Sequence, residues 1–232
     1  MARRATLFKT LRHNGSELMT IAGPYELMRP LKTTLGSDKR DILHQVFSLL
    51  DYDLGVMALE EDRLFAEAIP GWMAVGREAQ TRLLSVMDRT IGVIVLPGFE
   101  NGQDWDALLQ RLQPELRRLR MKSDLLIGVS AWGWNLESRF MSESDSSLDI
   151  LLGSGPGPGF RGKYMAGNTT LWIRPYNRGR ALNTITIPNF PATSWLVAGW
   201  EPNVSIKTGI AIIKDRLHSD EAVSAIISGK DN

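Results

Sequence analysis

Short apolar runs separated by helical patterns constrain the fold of this chain more than any other feature. Leu125–Val129 is a continuous apolar run that follows Asp124, which is typical of a central strand buried on both faces. Leu148–Leu152 repeats this pattern. Between such runs, apolar residues recur at three- and four-residue steps, most clearly over 104–121, and indicate amphipathic helices. The alternation, followed by a strand-rich end from Thr169, predicts an α/β sandwich with mixed sheets.

The same patterns give the expected elements. Helices are predicted at 3–13, 38–50, 104–121 and 219–228. Strands are predicted at 17–21, 53–57, 82–86, 91–96, 125–129, 148–152, 169–174, 181–187 and 204–213.

Composition excludes several classes of site. The chain has no cysteine, which excludes disulfides, thiolate zinc sites, iron–sulfur clusters and cysteine nucleophiles. The net charge of +1 gives no strong field for nucleic acid or an anionic membrane. The densest basic run is expected to be the solvated face of a helix, and consists of Arg111, Arg117, Arg118 and Arg120. No apolar run approaches the roughly 20 residues of a membrane span.

Ligands of open α/β sheets bind beyond the carboxyl ends of the strands, so the segments after residues 21, 57, 129 and 152 are the candidate site. These segments read Ala22-Gly23-Pro24-Tyr25, Ala58-Leu59-Glu60-Glu61, Ser130-Ala131-Trp132-Gly133 and Gly153-Ser154-Gly155-Pro156-Gly157.

In order and spacing, these segments resemble the motif blocks of calcineurin-like metallophosphoesterases of the 5'-nucleotidase branch. The family blocks read Asp-Ala-Gly-Asp-Phe, Gly-Asn-His-Glu, Ser-His-x-Gly and Gly-Gly-His-x-His. The opening segment 2–7 is also similar to a family segment that follows the first strand. The resemblance covers about residues 2–187 and implies one αββα sandwich domain over 1–232, with 188–232 as a C-terminal extension of strands and a helix.

The resemblance implies two divalent metals held by Asp, Asn and His, which activate water and bind the phosphate. In this chain the ligand positions fall on Pro24, Leu59, Glu60, Ala131, Gly155 and Gly157. Leu, Ala, Pro and Gly side chains cannot coordinate such cations, and one carboxylate does not make a binuclear site. The sequence therefore predicts a degenerate member with no metal, no cofactor and no catalytic residue.

Three functions follow as hypotheses. The first is a non-catalytic interaction or structural subunit, with a protein partner or self-association and no nucleic acid. The alternative is a functional metal-dependent phosphoesterase or nucleotide hydrolase, completed upstream or with ligands rearranged around Glu60 and Asp53. A third is a small-molecule binder that uses Trp132, Trp134 and Arg174 to line the cleft.

The family's first strand, with its Asp-x-His, would lie before Met1. Its absence would leave a gap between the strands at 17–21 and 53–57. Either the sheet closes around the loss, or an upstream piece or another chain fills the gap; we expect a segment of a partner or of a second copy to fill it. The N-terminus lacks the apolar stretch of a signal peptide. The resemblance implies the cell envelope if a signal lies upstream, and the cytoplasm if Met1 is the true start.

Four other motifs have structural explanations. Pro156 and Pro158 remove N–H donors that a phosphate loop would need, so the glycine-rich segment is expected to be a rigid loop, with Gly155 and Gly157 at positive φ. Ser130 begins like a nucleophile elbow, but Trp132 replaces the second glycine. The histidines, too few for a Ser–His–Asp triad, are His13, His44 and His218. The acidic run 60–62 fits either helix-start acids or an acid/base pair.

Overall fold

The fold is described from a computed structural model of the chain. The described residues are 1–13, 18–27, 37–65, 69, 71–86, 88–100, 102–144, 147–176, 181–188, 190 and 199–229. They form two compact units, one of residues 1–74 and 212–232 and one of residues 75–211. No described helix is long and apolar enough to cross a bilayer.

The first unit combines a small parallel sheet with helices. Its strand order is β1-β2-β3, with β1 at Ile21–Ala22, β2 at Leu54–Met57 and β3 at Trp72–Ala74. Its helices are α1 (Ala2–His13), α2 (Ser37–Leu50), the short α3 (Leu59–Asp62) and the C-terminal helix, called α6 (Glu221–Ser228). All four residues of β2 are buried, as expected of a central strand.

The predicted gap between the first two strands of this sheet is wrong. Ile21 pairs in parallel with Leu54, and Ala22 pairs with Gly55. The Leu54 N–H also donates to the Thr20 carbonyl at 3.2 Å. Because each strand supplies the hydrogen-bonding groups that the other needs, no slot for a further strand lies between them.

The second unit contains a six-stranded mixed sheet in the order β4-β5-β6-β7-β9-β8. The four inner strands are parallel, and each outer strand is antiparallel to its neighbour. The strands are β4 (Gln80–Val86), β5 (Arg89–Val95), β6 (Leu125–Val129), β7 (Ile150–Leu152), β8 (Phe160–Met165) and β9 (Thr170–Arg174). A separate two-stranded sheet pairs β10 (Ala181–Thr186) with β11 (Lys207–Ile212).

Two helices cover this sheet, α4 (Trp105–Arg120) and α5 (Trp134–Glu143). The Asp104 carboxylate caps α4 by accepting the N–H groups of Asp106 and Ala107 at 2.9 and 3.2 Å. The buried stripe of α4 follows the predicted helical period and consists of Trp105, Leu108, Leu112, Leu116 and Leu119.

The α/β class with mixed sheets is as predicted, and the loops of the candidate site follow the carboxyl ends of the parallel strands. The sequence patterns did not predict β3 or β8. The first strand is shorter than predicted, and residue 17 lies outside the described residues. The single domain over 1–232 stays a prediction.

Candidate functional site

The first unit carries two of the family-like segments, and a buried glutamate joins them. Glu61 is fully buried. Its carboxylate accepts the N–H groups of Tyr25 and Leu27, from the segment after β1, at 2.8 and 2.9 Å. It also accepts the Ala58 N–H, at the end of β2, at 2.8 Å. The carboxylate therefore binds backbone donors of both segments and connects the loop after β1 to the end of β2.

Pro24 and Leu59 stand at predicted ligand positions and offer no coordinating atom in their side chains. Pro24 is buried in the turn after β1, and Leu59 begins α3. Tyr25 beside Pro24 has a positive φ of 66°, which is uncommon for a residue other than glycine. Its conformation directs the Tyr25 N–H at Glu61.

Glu60 is the one predicted ligand position with a carboxylate, and its side chain is exposed. The Tyr25 hydroxyl lies 3.4 Å from one of its oxygens. Burial raises the pKa of Tyr25 well above its usual value, and the charges of Glu60 and Glu61 raise it further, so the hydroxyl stays protonated.

The rearranged ligand pair of Glu60 and Asp53 does not fit the geometry. Asp53 precedes β2 and Glu60 follows it, so the length of a four-residue strand, about 13 Å, separates them. One Asp53 oxygen also accepts the N–H and the hydroxyl of Thr20 at 2.6 and 2.7 Å. These two carboxylates cannot hold one metal.

In the second unit, the segment after β6 is fixed by backbone contacts. Ser130 is fully buried, and its hydroxyl accepts the Trp132 N–H at 3.0 Å. The Ser130 carbonyl accepts the Ser154 hydroxyl at 2.7 Å. Ser130 is therefore a packing residue rather than a nucleophile, and Ala131 beside it supplies only a methyl group.

The loop after β7 carries Gly155 and Gly157, the last two predicted ligand positions. Their φ angles are 81° and 124°, which confirms that both are positive. A Cβ on Gly157 would lie 2.5 Å from the Cβ of Trp134. Both positions thus serve the backbone path of the loop.

Arg174, at the end of β9, is the cation that organises this loop. Its guanidinium donates to the carbonyls of Gly155, Pro156 and Pro158 at 2.9, 3.1 and 3.1 Å. It also forms an ion pair with the fully buried carboxylate of Glu137 on α5. Because Arg174 is itself 2% exposed, its donors are directed at the protein and not at a ligand.

Glu137 receives two further hydrogen bonds, from the Ser154 N–H and the Trp172 indole N–H, both at 3.0 Å. Burial raises the pKa of Glu137, while Arg174 and these hydrogen bonds act in the opposite direction. The pair of Arg174 and Glu137 therefore links α5, β9 and the loop after β7.

The two predicted cleft tryptophans have different environments. Trp132 is 9% exposed, donates its indole N–H to the Pro97 carbonyl at 2.5 Å, and packs edge-on against Trp105 and Phe140. Trp132 is thus a core residue. Trp134 is half-buried and retains accessible surface.

The residues at the predicted ligand positions do not fit a pair of divalent metals. Five of the six side chains there lack a donor atom, and the described part of the chain holds no group of three or more His, Cys, Asp or Glu that could bind a metal. The nearby buried carboxylates, Glu61 and Glu137, are occupied by N–H donors.

Sequence reasoning did not single out Glu137, and it weighed Glu61 only as part of the acidic run 60–62 and not as a buried acceptor of backbone N–H groups. Glu61 occupies the glutamate position of the Gly-Asn-His-Glu block, so the resemblance contained a signal for it. Glu137 precedes the buried Phe140 by one helical turn, which places a charge on the inner face of α5. A charge at such a position signals a buried partner.

Arg111, Arg117 and Arg118 of α4 are exposed, as expected of a solvated helix face, whereas the Arg120 side chain is only 19% exposed and its partner Asp149 is buried. Arg111 lies 3.7 Å from Glu78, Arg118 lies 2.6 Å from Glu115, and Arg120 lies 2.5 Å from Asp149. Three of the four arginines of this run thus have a carboxylate partner.

No model of a known protein family matches the sequence, and no curated protein matches it. Solved structures do match its fold. The sulfate thiohydrolase SoxB of Thermus thermophilus, in complex with glycerol, has a TM-score of 0.70 at 13% identity over 99% of this chain and 46% of SoxB. A 5'-nucleotidase precursor of Thermus thermophilus has a TM-score of 0.67 at 10% identity over 99% of this chain and 52% of its own. A putative 5'-nucleotidase of Staphylococcus aureus, in complex with alpha-ketoglutarate, has a TM-score of 0.63 at 13% identity, over 99% of this chain and 52% of the nucleotidase.

The chain therefore has the fold of SoxB and the 5'-nucleotidases, as the resemblance predicted. It spans about half the length of these structures.

Proposed function

We propose that this chain, which has the fold of SoxB and the 5'-nucleotidases, is a non-catalytic relative that acts as an interaction or structural subunit. The observation that carries the proposal is the chemistry at the six predicted ligand positions. Pro24, Leu59, Ala131, Gly155 and Gly157 replace residues that would bind metal, and Glu60 stands alone.

The contacts around these positions support the proposal. In the first unit, the Glu61 carboxylate accepts three backbone N–H groups that come from both family-like loops. In the second unit, the carbonyls of the loop after β7 face the Arg174 guanidinium. These carbonyl oxygens are therefore already bound to a cationic side chain.

Metal titration tests the catalytic part of the proposal. Calorimetric titration of the purified chain with Mn²⁺ is expected to give no stoichiometric binding, and Glu60→Ala is expected to give the same trace as the unaltered chain. Binding of one or two Mn²⁺ per chain that is lost in Glu60→Ala would instead support the metal-dependent hydrolase.

The proposed interaction role needs no metal, because a folded α/β scaffold with fixed loops can bind a partner without one. Light scattering over a wide concentration range tests self-association of the purified chain. A mass that rises with concentration would support self-association. A constant mass of 25.9 kDa would restrict the role to contacts with other proteins.

A further inference from the structure

Three aromatic rings that pack against one another lie beside the ammonium group of Lys163 on the edge strand β8 of the six-stranded sheet. The Lys163 Nζ lies 4.1 Å from the ring centre of Trp134, 5.3 Å from that of Phe160 and 5.9 Å from that of Trp172. All three distances are within the range of cation–π attraction. We call Trp134, Phe160 and Trp172 the aromatic cage.

The walls of the aromatic cage are held in place. Phe160 is close to perpendicular to both tryptophans, at 85° and 84°. Trp172 is 1% exposed and its indole N–H donates to Glu137. The backbone N–H of Trp134 donates to the Pro156 carbonyl at 2.8 Å. A cation that enters the cage therefore meets rings that are already ordered, which lowers the cost of binding.

A β-bulge places Lys163 in the cage. Phe160 pairs with Arg174 and Lys163 pairs with Trp172, so three steps along β8 match two along β9. In a regular strand, residues three positions apart point to opposite faces. The extra residue turns both Phe160 and Lys163 toward the same rings, and bulges often serve to redirect a side chain in this way.

The occupant is a poor match for its site. Lys163 is exposed, and none of the ion pairs among the described residues includes it. A primary ammonium is strongly hydrated, and contact with aromatic rings displaces part of its water. Quaternary ammonium groups have no N–H to leave unsatisfied, and aromatic cages are a recurrent means of recognising them.

We propose that the aromatic cage is a binding site for a quaternary ammonium group, and that Lys163 occupies it as a tethered competitor until such a ligand displaces it. The proposal does not depend on the loss of metal chemistry. A tethered competitor acts at a high local concentration, so its removal raises the apparent affinity for an external cation.

The test is an NMR titration of the ¹⁵N-labelled full chain with tetramethylammonium chloride. Sodium chloride at equal ionic strength is the control, and the shifts of the indole N–H signals of Trp134 and Trp172 are measured. Lys163→Ala is expected to saturate at about tenfold lower concentration than the unaltered chain. Arg161→Ala, which removes the same charge from the same strand, is expected to behave like the unaltered chain. Adding Trp134→Leu to Lys163→Ala is expected to abolish the shifts.

Absence of saturable shifts in Lys163→Ala, or equal affinities in Lys163→Ala and Arg161→Ala, would overturn the proposal. That comparison decides the question even if Trp134→Leu fails to fold. Choline and a trimethyllysine peptide, each titrated into Lys163→Ala, separate the two sources of the ligand. Tighter binding of the peptide assigns a polypeptide ligand, and binding of choline at least as tight assigns a small molecule.

Discussion

At the scale of single residues, the loop after β7 depends on backbone conformations that side chains oppose. Gly157 has a φ of 124° and no room for a Cβ beside Trp134, whereas Gly102 has a φ of 88° and open space around it. The two glycines belong to the same unit and differ in the contact that a methyl group would make.

We expect Gly102→Ala to lower the free energy of unfolding by about 1 kcal/mol, because only the positive φ opposes the side chain. Gly157→Ala is expected to lower it by roughly 2 kcal/mol or more, since the added methyl also collides with Trp134. Urea unfolding of both variants measures the difference. Equal losses would show that the loop relaxes around the methyl group.

The buried ion pair gives a second prediction at this scale. Arg174→Met leaves the Glu137 carboxylate buried without its countercharge, and we expect a loss of roughly 3–5 kcal/mol in the free energy of unfolding at pH 7. Adding Glu137→Gln removes the uncompensated charge and is expected to recover part of this loss. Equal stability of the single and double variants would contradict the prediction.

The same variants predict a pH dependence. Burial raises the pKa of Glu137, and Arg174 opposes that increase, so Arg174→Met leaves the effect of burial less opposed. A group with a raised pKa in the folded state favours folding at low pH, and this contribution is lost as pH rises through the raised pKa. The loss of unfolding free energy in Arg174→Met should therefore be smaller at pH 5 than at pH 7. The double variant lacks the carboxyl group of Glu137 and should not show this trend.

At the scale of elements, α6 is attached to α1 through its N-cap. The Asp220 carboxylate accepts the Val223 N–H at 3.1 Å and the Lys9 ammonium at 2.5 Å. The Asp220 N–H donates to the Ala2 carbonyl at 3.2 Å. The hydrogen bond from Lys9, with the backbone donors of α6, lowers the pKa of Asp220.

Asp220→Ala is expected to lower the free energy of unfolding by about 1–2 kcal/mol, because α6 loses its cap and its bond to Lys9. Asp104→Ala, which removes only the cap of α4, is the matched control and should cost about 1 kcal/mol. Since the folded-state pKa of Asp220 is lowered, its contribution is present above about pH 4 and lost as pH falls further. A difference between Asp220→Ala and the unaltered chain that is the same at pH 7 and pH 3 would contradict this.

Elements with a clear apolar period were predictable from the sequence. The core stripe of α4 and the buried run of β6 lie where the pattern placed them. By contrast, β8 was missed because Gly162 stands where an apolar residue would mark the inner face of the strand, and because its register shifts between Phe160 and Lys163. The pairing of β1 with β2 was the less favoured of two expected outcomes, because the expectation came from the family's strand order and not from these residues.

At the scale of the whole molecule, the sequence located the loops of the candidate site but not the contacts that fix them. The four segments were recognisable because each follows a short apolar strand. Arg174 and Glu137 are 37 residues apart in the sequence and meet only because their elements pack together. No local pattern encodes that contact.

The positions that match the family-like blocks differ in chemistry from those that would bind metal. Glu61 and Ser130, which match residues of the blocks, accept backbone N–H groups. The positions that would bind metal carry side chains without donors, Glu60 excepted. These contacts support the proposal that the chain has this fold without metal chemistry.

Hydrolysis of p-nitrophenyl phosphate and AMP by the purified chain, with and without Mn²⁺, tests this central claim most directly. We predict that the rate equals that of the buffer at every manganese concentration and that Glu60→Ala leaves it unchanged. A rate that rises with manganese, disappears with chelator and falls in Glu60→Ala would contradict the account.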